Sequence, residues 1–261
     1  MSDAPALPIG VVGVSGGGLT AGGLETLSGG RAMVAAVYDA VRVRAEKLGR
    51  ETDRPMRMFR SVTKMAEHSG LRGAVILDSG WGGLWSARAL CEGGLPVLWL
   101  ADWPGEPAWD FRGAGRDLLV PGLRLRYEPS TLRLRERIAT DLGAVDSVQV
   151  TTPGPLWEAA DWAAWVAGSP VRGRDEEEIV TRSGVGLRVD AGEALSAAIV
   201  CDHGEAEWTP GSLVVNGEAV TLDEERSSVG LLLSLFLRRA AGGLVPVPSV
   251  DEVLAAGGAT A

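Results

Sequence analysis

Cysteine is scarce. Cys91 and Cys201 are the only two in 261 residues, and neither sits in a metal-type spacing, which argues against a disulfide scaffold and against a zinc module. Lysine occurs only at Lys47 and Lys64, and histidine only at His68 and His203. Few side chains are therefore left to act as a catalytic amine or as a base near neutral pH. No apolar run approaches the roughly 20 residues needed to span a bilayer. The opening Met1-Ser2-Asp3-Ala4-Pro5 lacks the basic stretch of a secretory signal, so the expected location is the cytoplasm. Positive charge is the minority sign: 25 Lys and Arg against 34 Asp and Glu give a net charge of −9. That balance argues against nucleic acid, whose phosphates need a basic face. The local cluster Arg124, Arg126, Arg133, Arg135 and Arg137 reads as a solvated helix face and strand margin.

What is abundant is apolar residues, at 46%, and glycine, with 36. The first fifty residues organise both. Ile9-Gly10-Val11-Val12-Gly13-Val14-Ser15-Gly16-Gly17-Gly18 is an apolar run ending in a glycine cluster. Ala21 to Leu27 has helical character, and Met33-Val34-Ala35-Ala36-Val37-Tyr38-Asp39 is a second apolar run closed by an acid. Strand, glycine turn, helix, strand and acid is the layout of a dinucleotide-binding βαβ unit, in which backbone N–H groups approach a diphosphate and the acid accepts from a ribose hydroxyl. Gly13 and Gly18 fit the Gly-x-Gly-x-x-Gly frame, with Ser15 at its middle glycine. A Cβ there crowds the diphosphate path, while Gly16 and Gly17 leave the loop room to rearrange. The expected cofactor-binding residues are Gly13, Ser15, Gly16, Gly17, Gly18, Asp39, Asp78 and Ser79. A carboxylate at Asp39 predicts NAD over NADP, because it repels a 2′-phosphate.

Strand and helix alternate on to residue 100: a helix over 41–48, a short strand over 58–62, a helix over 62–68, a buried strand over 73–78, a helix over 84–92 and a strand over 95–100. This predicts a parallel Rossmann-type sheet with ligands outside the strand C-termini. Residues 123–127 read as its last strand. Beyond them come a helix from Pro129 to Ala139 capped by Ser130 or Thr131, a strand over 145–151, a Trp-rich helix over 156–166, and strand-like segments over 186–191, 194–201 and 212–215. Asn216-Gly217 between strand-like arms is a hairpin signal. Helices follow over 229–241 and 250–256. The expected architecture is an α/β Rossmann-type parallel sheet domain, 1–122, followed by an α+β domain with an open, mainly antiparallel sheet, 123–261.

In this order the pieces resemble the Gfo/Idh/MocA-type oxidoreductases, the glucose–fructose oxidoreductase and inositol dehydrogenase family. The resemblance runs through Gly10-Val11-Val12-Gly13 to Asp39, Ala87-Arg88-Ala89-Leu90-Cys91-Glu92-Gly93-Gly94-Leu95-Pro96-Val97, Arg126-Tyr127-Glu128-Pro129 to Ala139, Leu142-Gly143-Ala144-Val145, Asp161 to Gly168 and the closing helices, over nearly the whole length. It implies an NAD(P)-dependent oxidoreductase acting on a sugar or polyol, with a homodimer through the C-terminal sheet.

The departures bear on chemistry. The family's Glu-Lys-Pro falls at Ala101-Asp102-Trp103-Pro104, so Asp102 stands for the glutamate and Trp103 for the lysine. Its Thr-Pro falls near Asp78-Ser79. Its Asp-x-x-x-His pair falls near Gly154 and Glu158, while Asp161 fits the pattern. Asp102 and Glu158 are thus the candidate proton-handling residues, against a plainer reading in which Glu158 suits a helix start. Trp81, Trp85, Trp99, Trp103 and Trp109 either line a sugar-stacking pocket or fill the space of an absent cofactor. Two readings follow: an oxidoreductase with a degenerate active site, or a catalytically inactive relative that binds a nucleotide, a small molecule or a partner.

Overall fold

The computed structural model describes residues 5–16, 19–51, 55–101, 115–175, 178–222 and 227–260. The chain forms two compact units. The first gathers the chain up to residue 101 with 115–122 and 229–250, and the second takes 123 to 222, 227 to 228 and 251 to 260.

In chain order the first unit holds β1 (Leu7–Val12), β2 (Ser15–Gly16), β3 (Leu19–Thr20), α1 (Ala21–Leu27), β4 (Ala32–Tyr38), α2 (Arg42–Glu51), β5 (Arg57–Met58), α3 (Val62–Ala66), β6 (Gly73–Ile76), α4 (Gly80–Glu92), β7 (Val97–Trp99) and β8 (Leu119–Pro121). Six of these strands form one sheet in the order β5-β4-β1-β6-β7-β8, parallel at every pairing. This is a Rossmann-type sheet, whose strand order reverses beside β1. β6 and β7 are buried along their whole length, as expected for strands covered on both faces. Residues 123–127, expected as the closing strand, are not one. β8 ends at Pro121, and Arg124–Tyr127 is a turn of 3-10 helix.

The second unit contains α5 (Pro129–Arg137), β9 (Val145–Thr152), α6 (Leu156–Val166), β10 (Val171–Asp175), β11 (Glu178–Thr181), β12 (Gly186–Ala191), β13 (Ser196–Cys201), β14 (Gly204–Thr209), β15 (Ser212–Val215) and β16 (Glu218–Ala219). The eight strands run β10-β11-β12-β9-β13-β14-β15-β16. All pairings are antiparallel except β12 with β9, so the sheet is mainly antiparallel. Asn216 at φ 51 and Gly217 at φ 81 make the two-residue turn between β15 and β16. The core lies between α6 and the sheet. Trp162 of α6 stacks on Trp208 of β14 with ring centroids 4.2 Å apart, and its Nε1 donates to the Thr131 hydroxyl. Neither Ser130 nor Thr131 is the α5 cap, because the helix begins before them at Pro129. Glu128 is, without a side-chain bond, and Ser130 and Thr131 lie buried within the helix.

Two helices close the chain, α7 (Ser228–Ala240) and α8 (Val250–Thr260). The sequence groups both with the second half. In the structure α7 packs on the first sheet instead, where a Cβ on Gly73 of β6 would lie 2.9 Å from the Phe236 ring. Among the described residues no helix is long and apolar enough to cross a membrane.

Candidate functional site

The first unit brings three of the expected residues together at the C-terminal ends of β4, β1 and β6. Asp39 follows β4. Its Oδ2 accepts from the Val14 N–H at 3.0 Å and its Oδ1 from the Val41 N–H at 2.7 Å, and the residue is 8% exposed. The carboxylate is thereby fixed in orientation, and two donors leave part of its roughly four acceptor positions open. Gly13 ends β1 at φ +80, where a Cβ would be strained, and that Cβ would lie 3.0 Å from the Asp78 N and 3.3 Å from Asp78 Oδ1. Gly13 and Asp78 thus face each other where the strand order reverses.

Asp78 is the electrostatically unusual member. Burial, and then repulsion from Asp39, push its carboxyl above its ordinary value, while Arg44 of α2 pulls it back. A carboxyl raised in the folded state binds its proton more readily there than in the unfolded chain. The native state is therefore penalised as pH rises through the raised value, and the penalty is absent below the ordinary value. Asp78→Asn is expected to raise the thermal midpoint at pH 7, with the gain fading below about pH 4. Calorimetry of both proteins across that range checks it.

The glycine loop differs from a tight strand-to-helix turn. Ser15 and Gly16 pair with Thr20 and Leu19 as a small antiparallel ribbon, and α1 begins only at Ala21. Thr20 caps that helix, its hydroxyl accepting from the Gly23 N–H, while the Ala21 N–H donates to the Val14 carbonyl. Gly17 and Gly18 lie outside the described residues, as do Asp102, Trp103 and Trp109. Ser79 is exposed and occupies the N-cap of α4 without a side-chain cap bond. Glu158 is a half-buried residue of the first turn of α6 in the second unit.

The other expectations separate. Trp99 is fully buried in β7, whereas Trp81 and Trp85, four residues apart on α4, are 63% and 62% exposed. His68 lies in the turn before β6, with its ring against Phe59, the residue that follows β5. His203 sits in the β13–β14 turn.

One buried charged cluster has no local signature in the sequence. Arg126, expected on a solvated face, is 6% exposed. Its fork donates to Asp161 through Nε at 2.9 Å and Nη2 at 2.5 Å, and Nη1 reaches Glu252 of α8 at 3.1 Å. Burial raises the Asp161 carboxyl and the Arg126 fork pulls it back. The resemblance marked Asp161, but nothing local points to Arg126 as its partner.

A cleft of about 450 Å³ opens beside Asp39, lined by Tyr38, Ala40, Met58 and Phe59 together with the charged Arg42, Glu46 and Arg60. Arg42 is paired with Glu46 at 2.6 Å. An oriented carboxylate suits ribose hydroxyls, and a slot of this size with Met58 and Phe59 in its otherwise mixed, partly charged lining has room for a flat base.

No protein-family model matches the sequence, and no curated protein sequence does. Solved structures do match in fold. The myo-inositol dehydrogenase of Lactobacillus casei, in complex with NAD(H) and myo-inositol, has a TM-score of 0.72 at 14% identity, covering 98% of this chain and 93% of that one. The UDP-N-acetylglucosamine 3-dehydrogenase of Acidithiobacillus ferrooxidans has 0.72 at 20% identity, over 97% and 95%. The biliverdin reductase of Synechocystis, in complex with biliverdin and NADP+, has 0.73 at 11% identity, over 97% and 96%. At these identities the likeness establishes a shared fold.

Proposed function

We propose that this chain is an NAD-binding protein of the Gfo/Idh/MocA type, an oxidoreductase whose proton-handling site is degenerate. The observation that carries the reading is the Asp39 carboxylate, held by two backbone N–H groups at the mouth of a 450 Å³ cleft. The fold shared with a myo-inositol dehydrogenase in complex with NAD(H) and a biliverdin reductase in complex with NADP+ supports it.

In this reading Asp39 accepts from the adenosine ribose hydroxyls. The segment from Gly13 through Ser15 and Gly16 to Gly18 borders the diphosphate, and Asp78 and Ser79 border the nicotinamide half. When bound, the nicotinamide supplies a hydride acceptor or donor. Asp102 and Glu158 are the residues proposed to take the hydroxyl proton of a sugar-like or polyol substrate. The open face of the second sheet serves as a homodimer surface.

Titrating NAD(H) and NADP(H) against tryptophan fluorescence and thermal stability tests the reading. The expected result is saturable binding of NAD(H), weaker binding of NADP(H), and a loss of at least about tenfold in Asp39→Ala, the size of a hydrogen bond to a charged group. No signal at millimolar cofactor overturns it, and tighter NADP(H) binding overturns the choice of NAD.

The second reading is a relative that binds its ligand without turnover. The scarcity of proton-handling side chains favours it: of the two histidines, His68 packs its ring against Phe59 and His203 lies in a hairpin of the second unit. Turnover of a polyol that is lost in Glu158→Gln eliminates this reading.

A further inference from the structure

The second unit holds a cavity of about 230 Å³, bordered by Arg126, Arg135, Asp161, Trp165, Ser169 and Glu252. It is separate from the Asp39 cleft, which belongs to the first unit. Its charges are unevenly matched. Arg126 is satisfied by Asp161 and Glu252. Arg135 is half-buried, and no carboxylate pairs with it among the described residues. Burial lowers its pKa, with no neighbouring acid acting against the shift.

The placement of Arg135 is built rather than incidental. One Nη donates to the Val166 carbonyl at 2.9 Å, at the C-terminal end of α6, where a cation suits the helix dipole. Its guanidinium lies 5.2 Å from the centre of the Trp165 ring, which restricts how it moves. Gly168, at φ +71, closes on the other side, where a Cβ would come within 3.2 Å of Nη1. One hydrogen bond uses one of five N–H donors. The Ser169 hydroxyl stands at the same cavity and accepts from the Ser183 N–H, which leaves its own proton to donate. A fixed fork with spare donors, a hydroxyl and a partly water-excluded cavity form a receptor for a planar or tetrahedral oxyanion.

We propose that this cavity is a binding site for a small oxyanion, a carboxylate or a phosphate, held by the Arg135 fork and the Ser169 hydroxyl. The volume limits the occupant to a small molecule or to one anionic group of a larger one.

The test uses the full chain with inorganic phosphate and with acetate as probes. Thermal midpoints are read against sodium chloride at matched ionic strength. The expected result is a saturable upward shift with at least one probe, lost in Arg135→Gln and weakened at least threefold in Ser169→Ala. Saturation with phosphate alone assigns a phosphate site, and with acetate alone a carboxylate site. A non-saturating rise of equal size in the wild type and Arg135→Gln is a general salt effect and overturns the proposal, as does no shift with either probe. If Arg135→Gln does not fold, Arg135→Lys keeps the charge at the helix end while removing the fork. Undiminished anion binding in Arg135→Lys then overturns the role of the fork. Neither variant touches the Asp39 cleft, so NAD(H) binding is expected to be unchanged in both.

Discussion

Replacing Arg126 by alanine is expected to lower the unfolding free energy by about 3–5 kcal/mol, the range for removing one partner of a buried ion pair. The side chain of Asp161 is 3% exposed, and both its oxygens accept from the Arg126 fork. Without that fork a charge sits in low dielectric with neither water nor a counter-ion. Glu252 loses the same partner, so α8 loosens from the turn that carries Arg126. The neighbouring Tyr127 reports the same dry surroundings, since burial pushes its phenol up to about 12. Arg42→Ala provides the contrast. Its pair with Glu46 is largely exposed, and its loss is expected to cost about 1 kcal/mol or less. The double variant Arg126→Met with Asp161→Leu is expected to recover most of the loss, because an apolar pair of similar volume avoids the desolvation altogether. Urea unfolding followed by tryptophan fluorescence measures all three. A cost below about 1 kcal/mol for Arg126→Ala would show that water reaches Asp161, against its burial.

Two adjacent glycines of α4 are expected to respond with opposite signs. A Cβ on Gly83 would lie 2.3 Å from the Asp78 carbonyl oxygen and 2.9 Å from the Trp99 ring. Neither neighbour has room to give. Trp99 is fully buried in β7, and the carbonyl is backbone. Gly83→Ala therefore pushes α4 off the sheet and is expected to cost about 1–3 kcal/mol, or more, as overpacking does. It also displaces Asp78, so nucleotide affinity falls in the same variant if the proposed function holds. At Gly82 the nearest atom to a new Cβ is an Asp78 carboxylate oxygen 3.9 Å away. Gly82→Ala is expected to stabilise by about 0.5–1 kcal/mol through helix propensity alone. Equal effects at the two positions would mean that α4 is not seated as described.

The first sheet was legible because its signals are local. Strands buried on both faces appear as unbroken apolar runs, and Asp39 stands at the end of one of them, within the same βαβ unit as Gly13. The ribbon formed by Ser15–Gly16 and Leu19–Thr20 was not legible, since two-residue strands carry no periodicity. In the second unit β14 did leave a trace. Glu205 and Glu207 alternate with the buried Ala206 and Trp208, a period of two visible in the sequence. β10 is Val-Arg-Gly-Arg-Asp, an edge strand too polar to stand out from a loop. Arg126 was misread for a deeper reason. Five arginines in fourteen residues look alike in sequence, and the acids that select one of them lie 35 and 126 positions away. Burial of that kind exists only after the chain has closed on itself.

The seating of α7 against β6 has a consequence for how the protein comes off the ribosome. The strands of the first unit are complete once residue 121 has emerged, yet the helix that covers Gly73 is translated more than a hundred residues later. At 5–20 residues per second this leaves an apolar face of the nascent sheet open for about ten seconds. A chain stopped before Ser228 is therefore expected to scatter more light and stay less soluble than the full chain, because the β6 face beside Gly73 is left without Phe236 and Ala240.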